Sequence, residues 1–217
     1  SVVIGPAVTQ IDKDAFAEVA DNVKSITLKS GVVSDIADIA DAPFSACTAA
    51  VYVDPSVTYV PKHLFAYTHV TNSVDVRSDL SFNDDAFKSA IIDSLDWHYP
   101  EESVYPFKSA EVQKLTFSNM TDIKQNGLFQ GAYIRNLYLE GITDISGEYV
   151  FEDATILNKD RDYTLVIPAS MKKIGKSAFR NVSIGANLLF EKGTGLTIAE
   201  KAFENTFAYY HVTSLYG

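Results

Sequence analysis

Nine of the thirteen phenylalanines recur at intervals that leave little choice of fold. They stand at Phe16, Phe44, Phe65, Phe87, Phe107, Phe129, Phe151, Phe179 and Phe203, with gaps of 28, 21, 22, 20, 22, 22, 28 and 24 residues. A period of about 20 to 29 residues marks a solenoid, because each small unit can bury its apolar side only against the units above and below. One phrase carries the period, most clearly in Ile174-Gly175-Lys176-Ser177-Ala178-Phe179, Ile198-Ala199-Glu200-Lys201-Ala202-Phe203 and Ile11-Asp12-Lys13-Asp14-Ala15-Phe16. An apolar residue precedes the Phe by five at Ile11, Ile39, Val60, Phe82, Ile174 and Ile198, and by six at Ile123 and Ile145. Glu102 holds that place before Phe107, so this repeat is the degenerate one. The residue just before each Phe is apolar and mostly compact, as a turn packed tightly on its neighbour requires.

Between the phenylalanines lies an alternating apolar pair: Ile26 and Leu28, Val51 and Val53, Val74 and Val76, Leu95 and Trp97, Leu115 and Phe117, Leu137 and Leu139, Leu165 and Ile167, Leu188 and Phe190. Val2 and Ile4 form a partial copy at the front. A period of two over three residues is a very short half-buried strand, and one per coil stacks into a parallel sheet. A second extended segment follows, as in Pro55 to Val60 and Pro168 to Ile174, with the proline ending the strand. The predicted fold is a β-rich α/β repeat: one right-handed solenoid of about nine coils over 1–217, weakest over 83–110. The two longest periods need surplus chain, which 29–38 and 152–163 supply, and Tyr209 to Tyr216 reads as the strand of a final, incomplete coil whose tyrosines cap the stack. Entry at Ser1, with neither an initiator Met nor a polar cap, reads as a trimmed or internal start.

Composition narrows the function classes. Hydrophobic residues make up 47% of the chain, enough for a continuous core. Eighteen Lys and Arg against 28 Asp and Glu leave a net charge of −10, which repels phosphate backbones and anionic headgroups. Neither nucleic acid nor membrane insertion is expected. The single Cys47 cannot form an internal disulfide, and it reads as a small buried hydrophobe.

The phrase from Ile167-Pro168 through Met171, Ile174-Gly175 and Ala178-Phe179 resembles the BspA-like class of leucine-rich repeat, found mainly on surface and secreted proteins. The resemblance covers nearly the whole chain and implies a secreted or cell-surface protein used for adhesion or recognition, with no catalytic residues to carry over. The Asn that usually follows the strand in leucine-rich repeats does not recur here, and the Ile and Phe packing stands in its place.

A solenoid leaves the outward strand positions free of core duties. These are Thr27, Tyr52, Asp75, Asp96, Thr116, Tyr138, Val166 and Leu189. Tyr52, Asp75, Asp96, Tyr138, Val166 and Leu189 are the candidate binding residues, for a protein such as a host extracellular-matrix component or for a glycan. The alternative reading is an architectural spacer with no ligand of its own, and end-to-end self-association is open to either. Val166 and Leu189 are equally read as covered by the 152–163 insertion.

Chemistry-bearing motifs are sparse. His63, His69, His98 and His211 lie apart, without metal-ligand spacing, and each reads as a surface histidine. Asp35, Asp38 and Asp41, Asn83-Asp84-Asp85, and Asp160-Arg161-Asp162 lack the geometry of a calcium loop. No cofactor or metal is expected, and the chain reads as a non-enzyme. Trp97 lies in an aromatic stretch through Pro106 that is either a sugar- or peptide-gripping loop or, on the favoured reading, Trp97 filling a core position. Asn119 and Asn181 open glycosylation sequons, which matter only in a eukaryotic secretory pathway.

Overall fold

The computed structural model describes the chain except residues 75, 78, 99–104, 186, 209–210 and 215–217, and the side chains of 211–214. It is a parallel solenoid of about nine coils, whose strands form three sets of ladders that run along its axis. Ladder one follows each Phe turn directly and joins Thr48, His69, Ile91, Glu111, Tyr133, Thr155, Ser183 and Phe207 in register. Ladder two contains the alternating apolar pairs, from Val2–Ile4 and Ser25–Leu28 to Thr164–Ile167, Asn187–Phe190 and His211–Ser214. Ladder three precedes the next Phe turn, at Tyr59–Val60, Ser81–Phe82, Asp144–Ile145, Lys173–Ile174 and Thr197–Ile198. In the coils from Thr48 to Asp96 the first two ladders are one continuous strand, and in later coils a bend separates them. The first coil replaces its rung of ladder one with a short 3-10 helix, Ala17–Asn22.

The nine phenylalanines form one spine. Successive ring centroids are 4.8 to 5.8 Å apart and each neighbouring pair is stacked, from Phe16 on Phe44 to Phe179 on Phe203. The seven internal rings are fully buried, whereas the two end rings are half-buried. Around each ring the backbone turns in an unusual way. Residues two before the Phe (His63, Asp85, Gly127, Tyr149, Ser177) and two after it (Tyr67, Ser89, Gly131, Asp153, Asn181) take left-handed conformations. Each such non-glycine residue costs about 1 kcal/mol. The cost is offset because these residues aim the amides along the axis. Phe129 N–H donates to Val150 O, Phe151 N–H to Ala178 O, and Phe179 N–H to Ala202 O, each at 2.8 Å. Gly131, Asp153 and Asn181 N–H donate in the same direction to Glu152, Arg180 and Glu204 O. In these turns alternate N–H groups, such as those of Ser177, Phe179 and Asn181, face the next coil, while the N–H groups between them, such as those of Ala178, Arg180 and Val182, close on carbonyls three residues back in the same coil.

Ladder two is interrupted twice, and an asparagine side chain spans each interruption. Asn72 Oδ1 accepts from Val51 N–H and its Nδ2 donates to Val51 O, both at 2.8 Å. Asn158 repeats the device: Oδ1 accepts from Leu137 N–H at 2.7 Å, and Nδ2 donates to Leu137 O at 3.3 Å and to Thr164 O at 2.9 Å. A primary amide carries the same donor and acceptor as the peptide group that is missing. The asparagine series of other leucine-rich repeats is thus absent as a ladder but used at two points. Asn158 itself opens surplus chain that begins only after Ile156, because the first five residues of 152–163 are ordinary turn and strand.

The other insertion is tied down along its length. Ser30 Oγ donates to Val8 O at 2.6 Å, Ser34 N–H to Thr9 O at 2.9 Å, and Ile36 N–H to Lys62 O at 3.1 Å. This covering corrects one expectation: His63 is not a surface residue. It is 5% exposed, with Nδ1 3.0 Å from Ile36 O and Nε2 3.6 Å from Asp85 Oδ2. Nearby, Asp35 accepts from Tyr59 Oη–H, Lys62 N–H and Asn83 Nδ2, each at 2.8 Å. Burial raises the carboxyl's proton affinity, but these three donors outweigh it and leave Asp35 below the usual carboxylate range. Burial, followed by the Asp35 carboxylate, pushes Tyr59 up to about 12 from 10.0. The neutral phenol is therefore favoured by folding, so its contribution is complete below pH 10.0 and is lost as pH rises toward about 12. We expect wild type to lose more stability than Tyr59→Phe across that window, read from urea midpoints on either side of it. Parallel alkaline losses would remove the Tyr59–Asp35 link.

Candidate functional site

The outward row of ladder two is a real alignment. Val3, Thr27 and Tyr52 are in register, as are Asp96 and Thr116, and Val166 and Leu189. Val3, 57% exposed, heads the row and escaped the sequence reading. Tyr52 is 51% exposed, while Asp96, Tyr138, Val166 and Leu189 are half-buried. Asp75 lies outside the described residues.

Tyr52 and Tyr138 occupy equivalent places, each one residue after the backbone held by an asparagine side chain. At the first interruption the ladder opens into a recess of about 400 Å³, lined by Val51, Tyr52, Val53, Asn72, Ser73, Val74, Val76 and His98. At the second, Tyr138 lies between two cations, with Lys114 Nζ 5.7 Å and the Arg161 guanidinium 5.4 Å from its ring centroid. Arg161 also pairs with Glu140. The signal for both was present in the sequence as Val51-Tyr52-Val53 and Leu137-Tyr138-Leu139, each followed 21 residues after its first member by Asn72 or Asn158.

Asp96 is engaged within the fold. It accepts from Ser118 N–H at 2.8 Å and Thr116 Oγ1 at 3.0 Å. Desolvation opposes its ionisation, yet the bonds from Ser118 and Thr116 prevail and lower its pKa, with His98 adding a smaller attraction. Ladder one presents a second face that the sequence reading missed. It carries His69 and Asp93 at 2.9 Å, Glu111 and Arg135 at 2.8 Å, and Arg135 over the Tyr133 ring at 5.4 Å. Those polar groups answer one another from coil to coil.

The remaining candidates are structural. Trp97 is fully buried against Phe82 and Phe107, so it fills the core position. The stretch 99–104 after it lies outside the described residues, as do Tyr209 and Tyr210. Cys47 is fully buried, and burial pushes its thiol up, away from nucleophilic use. Glu152, 4% exposed, is paired with Arg180 and accepts from Gln130 Nε2 at 2.8 Å, which binds three successive coils together. Asp38 Oδ1 accepts from Ala40 N–H at 2.9 Å, and Asp41 faces Lys13 at 3.8 Å. Among the described residues no group of three or more His, Cys, Asp or Glu side chains is gathered to hold a metal, and no helix is long and apolar enough to cross a membrane.

Comparison with known families agrees with this geometry. A model described as the BspA type leucine rich repeat region matches in six copies, over residues 1–100 and 162–214. The unmatched stretch between them still carries Phe107, Phe129 and Phe151 in the same stack. Neither curated proteins nor solved structures gave a match. With most of its length matched and one Phe turn per coil from Phe16 to Phe203, the chain belongs to the BspA-type leucine-rich repeat family.

Proposed function

We propose that this chain is a non-enzymatic recognition module that works outside the cell and binds a protein or glycan through the outward row of ladder two. BspA-type repeats are typically associated with bacterial surfaces, which supports the location. The observation that carries the reading is the pair of tyrosines at the two interruptions, Tyr52 beside an apolar recess and Tyr138 between Lys114 and Arg161. Tyrosine offers a large, rigid contact area and a hydroxyl at low entropic cost, which is why it recurs at binding hot spots. His69, Asp93, Glu111 and Arg135 of ladder one are already paired within their own face, so a partner that uses them would have to displace existing bonds. The recess lining favours a protein side chain over a sugar.

A solid-phase screen against extracellular-matrix proteins and a glycan array tests the reading. The wild type should bind saturably, and Tyr52→Ala with Tyr138→Ala should weaken that binding by about 2 kcal/mol or more while leaving the melting temperature unchanged. Binding that survives the double substitution would move the site off this row. The absence of any saturable partner on either panel would favour the spacer reading.

A further inference from the structure

The chain contains a single Asn-Gly pair, Asn126-Gly127, and it lies in the turn that leads into Phe129. The fold fixes both residues. Gly127 is buried at φ +59°, and a Cβ there would collide with the Tyr105 ring of the previous coil, so only glycine fits. Asn126 is half-buried, and its Oδ1 accepts from Glu148 N–H of the next coil at 2.8 Å. Packing thus places side by side the two residue types whose chain is most open to attack from within. Glycine has no side chain to shield its own amide nitrogen, and the asparagine amide beside it is an electrophile one ring closure away.

We propose that Asn126-Gly127 is a cyclisation site which the stacked coils hold shut and which opens when those coils part. The reaction needs only water as a co-reactant. Gly127 N attacks Asn126 Cγ: a new C–N bond forms, the Cγ–Nδ2 bond breaks, and the departing amide takes up the Gly127 proton and leaves as ammonia. Water then opens the cyclic imide at either carbonyl. One opening gives aspartate, and the other gives isoaspartate, with the main chain rerouted through the side chain.

Glu148 blocks the first step at both atoms. Its carbonyl accepts from Gly127 N–H at 2.8 Å while its own N–H holds Asn126 Oδ1, so the nucleophile keeps its proton and the electrophile is drawn toward the next coil. The grip is shared along the turn. Ile123 N–H donates to Asp144 O at 2.9 Å, Phe129 N–H to Val150 O and Gly131 N–H to Glu152 O at 2.8 Å, and the Phe129 and Phe151 rings stack at 5.7 Å. Because each coil touches only its neighbours, the clamp opens when these two coils separate, without unfolding of the whole chain.

The two products differ in consequence. Aspartate keeps an acceptor at position 126, an arrangement that Asp84 already uses toward Tyr105 N–H at 2.9 Å. Isoaspartate lengthens the main chain before Gly127, which carries the amides of Gly127, Phe129 and Gly131 out of register with Glu148, Val150 and Glu152. A stack that has opened there is marked covalently and does not close as before.

Peptide mapping by mass spectrometry of the full chain, held in mildly alkaline buffer with and without denaturing urea, tests the proposal. Asn126 should deamidate about tenfold or more slowly in the native chain than in the unfolded one. Phe151→Ala should recover much of the unfolded rate, whereas Phe65→Ala, an equally buried truncation farther along the spine, should leave Asn126 protected. If Phe151→Ala does not fold, Val150→Ala makes a smaller cavity in the same turn. Chains carrying isoaspartate at 126, separated after unfolding and refolding, should melt below the unmodified chain. A native Asn126 that reacts as fast as the unfolded one, truncations at 151 and 65 with the same effect on its rate, or an isoaspartate form that melts like the original would each overturn the proposal.

Discussion

Phe179→Ala is expected to lower the free energy of unfolding by about 3 to 5 kcal/mol. The ring is fully buried between Phe151 and Phe203, with centroids at 5.1 and 5.2 Å and interplanar angles of 17° and 1°. Truncation removes both stacking partners and leaves a cavity that flat turns on either side cannot fill. In a solenoid each coil touches only its neighbours, so the damage stays local. The coils beyond Phe179 should therefore lose hydrogen-exchange protection ahead of those around Phe87. Phe207→Ala is the control: that side chain is 66% exposed and stands off the spine, so its loss should cost about 0.5 kcal/mol or less. A cost below about 1 kcal/mol at Phe179 would mean that the spine does not hold the stack together.

Asn158→Leu should cost about 3 kcal/mol or more, although leucine is nearly the same size and the site is fully buried. The substitution strands Leu137 N–H, Leu137 O and Thr164 O, which the Asn158 amide now serves. Asn158 also sits at φ 51° and ψ 48°, a left-handed conformation that asparagine tolerates and leucine does not. Asn158→Gly separates the two causes, because glycine relieves the backbone while still abandoning the three bonds. If the glycine variant keeps wild-type urea stability, the amide is not bridging ladder two. A large loss in both variants assigns the effect to the amide and makes it a structural stand-in for a missing rung.

Much of this architecture was legible in the sequence, and particular residues show why. Leu165 and Ile167 face inward because alternation in a short strand has only one way to be buried. Trp97 keeps the alternation with Leu95, and it is core. Ladder one was not legible. Its rungs, such as Glu111–Val112 and Tyr133–Ile134, each bury one residue and then bend, which leaves no alternation to read. The left-handed turn positions hold Asp, Ala, His, Tyr, Ser, Lys, Gly and Asn, so no composition marks them. That conformation is selected by hydrogen bonds to the next coil, not by local preference. His63 reads as a surface residue from its neighbours in sequence, yet it is buried because the chain around Ile36 lies over it.

The candidate site divides along the same line. Its row of outward positions was legible from strand parity alone, and the tyrosines at 52 and 138 were named from it. That both stand beside an asparagine-spanned interruption was not, because the partners lie 21 residues apart and only the coil register brings them together. By itself, then, the sequence determined the number of coils, the spine and the inward residues, since a periodic apolar residue records what each coil must bury. The tertiary structure alone decided which outward groups are paired and which stand open. Outward side chains find their partners one coil away, and the length of each loop sets which residue that is.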